Sequence, residues 1–60
     1  MTRKDYVRIA DAIKLARYQT EDTKDANYVL NVVTDLIAGE LKEDNIRFDR
    51  QRFATAAGRE

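Results

Sequence analysis

No cysteine, histidine, serine, tryptophan or proline occurs in these 60 residues, and glycine occurs only twice. Without Cys there can be no disulfide, and without Cys or His the common zinc sites are ruled out. The same gaps remove the usual nucleophiles and the usual general base, since acyl- and group-transfer chemistry draws on Ser, Cys or His. Missing Pro and scarce Gly argue against a fold of hairpins and tight turns, which depend on those residues for special backbone angles. No apolar run approaches the roughly 18–20 residues needed to span a bilayer, and the opening Met1-Thr2-Arg3-Lys4-Asp5 carries no apolar leader core. A cytoplasmic protein of a bacterial cell is expected, with no membrane partner, cofactor or metal.

What is present is charge and helix-forming residues. Eleven basic and eleven acidic side chains cancel to zero net charge, but they fall in blocks. Residues 1–19 sum to +3, residues 20–45 to −5 and residues 46–60 to +2, so antiparallel packing would bring opposite signs together. Strand-type alternation is sustained nowhere, and a single all-α domain spanning 1–60 is expected. A chain this short buries only about 60% of the surface it exposes when unfolded. With disulfides and zinc excluded, tight helix packing or oligomerisation must supply the stability.

Three helices are predicted. The first runs from Thr2 to Tyr18, with Thr2 and Asp5 placed to form a capping box. Tyr6, Ile9, Ala10, Ile13 and Ala16 recur at helical spacing and define its core stripe, leaving Arg3, Lys4, Arg8, Asp11, Lys14 and Arg17 on the outside. The second runs from Lys24 to Asp44 and is apolar on more than one side. Ala26, Leu30, Val33, Ile37 and Leu41 form one face, and Val29, Val32 and Leu36 a neighbouring one. One partner helix cannot cover both, so Val29, Val32 and Leu36, with Tyr28, are expected to form a homodimer interface. Gly39 either admits another backbone closely or marks fraying. The third helix spans Arg50–Ala57, with Asp49 as its cap, Phe48 and Phe53 as a hydrophobic staple, and Gly58 ending it in the left-handed conformation; Arg59 and Glu60 are expected to fray. Ile9, Ile13, Leu30, Val33, Leu36, Ile37 and Phe53 are the expected core.

The two ends carry a resemblance. The start Met1-Thr2-Arg3-Lys4-Asp5-Tyr6 with Ile9-Ala10, and the end Asp44-Asn45-Ile46-Arg47-Phe48-Asp49-Arg50-Gln51-Arg52-Phe53 with Ala56 and Gly58, resemble small helical proteins without an assigned activity that bacteriophages and other bacterial mobile elements encode. In those proteins the ends flank a variable helical middle, and Ile46 stands where a Pro is common. The resemblance implies a short accessory protein and brings no site residues with it.

Two functions compete on the residues alone. The excess apolar surface of the second helix points to a non-catalytic module that binds a host or phage protein. Arg47, Arg50 and Arg52, with Arg3, Lys4 and Arg8 at the other end of the chain, raise the alternative of a small dimeric nucleic-acid-binding regulator, its third helix N-terminus facing a phosphate. Zero net charge and a pI near 6.2 weigh against the second, because strong net basicity is the usual footprint of nucleic-acid binding. The acidic pairs Glu21/Asp22, Glu40/Glu43 and Glu43/Asp44 read as solvated helix ends, and Arg50 and Arg52 are expected to pair with the acidic second helix.

Overall fold

The computed structural model describes residues 1–59, in which three helices occur in the order α1 (Arg3–Gln19), α2 (Lys24–Asp44) and α3 (Arg50–Ala56), with no strand among the described residues. The all-α expectation holds, and each helix boundary falls within one residue of its predicted place. Local chemistry explains the starts. The Thr2 hydroxyl accepts the Asp5 N–H at 3.4 Å while the Asp5 carboxylate accepts the Thr2 N–H at 3.0 Å, closing the capping box. Thr23 caps α2 by accepting the Ala26 N–H at 3.1 Å, and Asp49 caps α3 by accepting the Arg52 N–H at 3.0 Å.

Between α2 and α3 the chain reverses over Asn45–Phe48. The Phe48 N–H donates to the Asn45 carbonyl at 2.9 Å, the Asn45 side chain accepts the Arg47 N–H at 3.1 Å, and the Lys42 ammonium reaches the carbonyls of Ile46 and Phe48. Ile46 is the second residue of this turn, where Pro is favoured, and Asn45 before it is extended at φ −143°, ψ 107°.

Phe48 and Phe53 meet as the staple requires, their ring centroids 5.4 Å apart, and Tyr6 of α1 abuts Phe48 edge-on at 4.8 Å. At the far end of α3, Gly58 adopts φ +85°. The Gly58 N–H donates to Thr55 and the Arg59 N–H to Ala54, which is the double bond of a Schellman ending. Arg59 is therefore held, not frayed: its guanidinium also grips Asp35 of α2 with two bonds, at 2.9 and 3.0 Å. Glu60 lies outside the described residues.

The helix α3 lies against both α1 and α2, which touch each other less than either touches α3. The buried core comprises Ala10, Ile13, Ala38, Leu41, Phe48, Phe53 and Ala57, with Tyr6, Ile9 and Ile37 packed around it. Of the expected core, Ile13 and Phe53 are buried, and Ile9 and Ile37 line it. Leu30 is half-buried. Val33 and Leu36 are exposed instead, at 40% and 67%.

The reason is a half-buried cation. Arg17, expected on the outer surface, turns inward and donates from Nε to the Ala57 carbonyl (2.7 Å), from one terminal nitrogen to Asn31 Oδ1 (3.0 Å) and from the other to Thr34 Oγ1 (3.0 Å). Thr34 is fully buried and passes its own proton to the Leu30 carbonyl at 2.7 Å. This network, joining all three helices, fixes the rotation of α2 so that Asn31, Thr34, Ala38 and Leu41 face inward. Three alanines at the contact leave no room for larger side chains, and the second apolar stripe is turned out.

Candidate functional site

Two surfaces stand out. The first is the outer face of α2. Turning Thr34 and Ala38 inward places Val29, Val32, Val33 and Leu36 on the opposite side of the helix, with Tyr28 at its edge, and all five are exposed. Of the four expected interface residues, Tyr28, Val29, Val32 and Leu36, every one lies on this face; Val33 joins them and was assigned to the core by sequence. Val29, Val32, Leu36 and Gly39 follow steps of three, four and three, the spacing of a seam between two helices. Gly39 sits well inside α2, so it does not mark fraying, and apart from its chain neighbours and its own helix backbone no described atom lies within 4 Å of where its Cβ would stand. Its small size serves no contact within the described chain.

The second surface is a groove of about 280 Å³ between the N-terminal half of α1 and the turn leading into α3. Val7, Ala10, Phe48, Phe53 and Ala56 form its apolar lining, and Arg3, Arg47 and Arg52 enter from three different elements. None of these three arginines makes an ion pair with a described residue. Arg50 does not line the groove. The structure thus brings together Arg47 and Arg52, two of the three C-terminal arginines singled out by sequence, with Arg3 of the basic chain start, more than forty positions away, while Lys4 and Arg8 do not line the groove. The expected pairing of Arg50 and Arg52 with α2 does not occur; the contacts between opposite charge blocks are Arg59 with Asp35 and the amino terminus with Asp44 at 3.9 Å. Nor is the α3 N-terminus open to a phosphate, because the Asp49 carboxylate already occupies the Arg52 N–H.

A third, polar cleft lies beside the α1–α2 loop, where Lys14, Arg17, Tyr18, Asp22, Asn27 and Asn31 meet. Its polar groups are largely spent on each other: Asn27 donates to Asp22 at 2.8 Å, and Arg17 is committed to the core network. Among the described residues no group of three or more acidic side chains is placed to hold a metal ion, and no helix is long and apolar enough to cross a membrane. The Asp5 carboxyl is held below its ordinary value, first by the Thr2 backbone N–H and then by the Thr2 hydroxyl. That is the signature of a cap.

No family model matches the chain, and no curated protein or solved structure is similar to it at a significant level.

Proposed function

We propose that this protein is a non-catalytic interaction module that works through helical surfaces, and that the outer face of α2 is covered by a second copy of the chain. The observation behind this reading is the uninterrupted set Tyr28, Val29, Val32, Val33 and Leu36, exposed along one side of a helix whose other side is already packed. A contiguous apolar face of this kind marks an interaction site. A second copy fits because the seam Val29, Val32, Leu36, Gly39 repeats with coiled-coil spacing, and because Gly39 leaves space for a facing backbone.

Energetics point the same way. The core contains seven residues, three of them alanine, which is little for a domain of this size. Fully burying a Val or Leu side chain contributes roughly 1.5–3 kcal/mol, so pairing the outer stripes would add a second core of comparable weight. The resemblance of the chain ends to phage-encoded accessory proteins puts the further partner among host or phage proteins. The nucleic-acid reading has less support, since Arg50 stands apart from Arg47 and Arg52 and the α3 N-terminus is filled by Asp49.

Thermal unfolding over a wide range of protein concentration tests the pairing. The midpoint of the native chain should rise with concentration, and that of Leu36→Glu should not, because mass action stabilises only an associating fold. A native midpoint independent of concentration contradicts the reading.

A further inference from the structure

We propose that the groove between α1 and the turn before α3 docks an acidic, amphipathic segment of a partner protein, a stretch in which Asp or Glu flanks one or two large apolar side chains. The inference shares the idea of a protein partner with the function proposed above but uses a different surface, and it stands or falls separately from the pairing of α2.

Charge complementarity carries it. Arg3, Arg47 and Arg52 converge on one groove from α1, the turn and α3, and none makes an ion pair with a described residue. A planar guanidinium receives a carboxylate through two parallel hydrogen bonds, so three of them around a cleft specify where acidic groups should stand. Between them the lining is apolar. Val7 is half exposed there, beside Phe48 and Phe53, and about 280 Å³ is room for one or two anchoring side chains to lose their water. Apolar anchor and charged rim together match a short acidic peptide better than either a purely apolar helix or a polyanion.

A nucleic acid is disfavoured by the same groove. Phe48 and Phe53 are only 5% exposed, so neither offers a face for a base to stack on, and of the aromatic side chains in the lining that leaves just the half-buried Tyr6. Asp49 stands in the lining, and a phosphodiester chain would carry a charge at every nucleotide past it, whereas a peptide can place its carboxylates opposite the arginines alone.

The test is fluorescence anisotropy of the full chain with a labelled dodecapeptide of Glu, Leu and Phe. Two control peptides replace Glu with Gln, or Leu and Phe with Ser, and a labelled oligothymidylate is the nucleic-acid probe. Each control peptide, and the double variant Arg47→Glu/Arg52→Glu, should weaken binding at least about tenfold, with the helicity of the variant unchanged because both arginines are exposed. Leu36→Glu should bind the peptide as the native chain does, even while losing self-association. The proposal is overturned if the dodecapeptide does not saturate, if the Gln peptide binds equally, if the double variant binds undiminished, if oligothymidylate competes as strongly as the peptide, or if Leu36→Glu, with the helicity of the native chain, abolishes binding and so moves the site to α2.

Discussion

The two sides of α2 are built from opposite materials. Its inner side, Asn31, Thr34, Ala38 and Leu41, is small and partly polar, yet it is the side that is packed; its outer side, Val29, Val32, Val33 and Leu36, is large and wholly apolar, yet it faces outward. A helix turns its most hydrophobic side to the core when nothing else constrains it. Here Arg17 constrains it: a guanidinium drawn under the helices needs polar acceptors, and Thr34, Asn31 and the Ala57 carbonyl supply them. The cation sits against the last carbonyls of α3, where a helix favours positive charge. Inner-side apolar area was traded for a fixed orientation, and the side left over is the one suited to a partner.

That contrast can be broken at its strongest point by truncating each side in turn. Leu41→Ala should cost about 2–5 kcal/mol in a urea titration, the usual range for a buried Leu. Leu36→Ala, measured at concentrations dilute enough to keep the chain monomeric, should change stability by no more than about 0.5 kcal/mol. Equal costs would mean the two sides are not different in kind.

Next in size is the half-buried Arg17 network. Arg17→Met keeps much of the packing but leaves Thr34 Oγ1, Asn31 and the Ala57 carbonyl without their donor, and should cost about 2–3 kcal/mol by chemical denaturation. Gly58→Ala should cost about 1–2 kcal/mol, because φ is +85° and an added Cβ would lie 3.1 Å from Arg17 Cδ. If Arg17→Met proved neutral, the account of why α2 is rotated would be wrong.

Much of this was legible in the sequence, because much of it is local. Thr2 with Asp5, Asp49 with Arg52, and Phe48 with Phe53 all lie within five residues of one another, and each formed as its spacing implied, whereas the spacing left Thr20, Asp22 and Thr23 equally open as the α2 cap that Thr23 provides. The rotation of α2 was not legible. The outer stripe of Val29, Val32 and Leu36 was set apart in the sequence, but that Val33 turns out while Thr34 turns in was not, because the deciding bonds run from Arg17 to positions 14, 17 and 40 residues away. A core chosen by side-chain size also overlooks Ala38 and Ala57, which are buried because they let helices approach, although Ala10 was already legible on the core stripe of α1. The arginine groove was half legible: Arg47 and Arg52 share a segment, but only the packing of α1 on α3 adds Arg3.

The smallest expected effect concerns pH. The folded carboxyl of Asp5 sits below its ordinary value of 3.8, so its contribution is fully present above that value and is lost as pH falls through the lowered folded one. The first turn of α1 should therefore loosen in acid below about pH 3.8, seen as loss of amide protection at Asp5 and Tyr6, while Thr2→Val should show that loosening already at neutral pH.

The pairing of α2 is the central claim, and sedimentation equilibrium of the native chain over a wide concentration range tests it most directly. The account predicts a reversible shift from 6.9 kDa towards twice that mass, abolished in Leu36→Glu. A mass of 6.9 kDa at every concentration would contradict it.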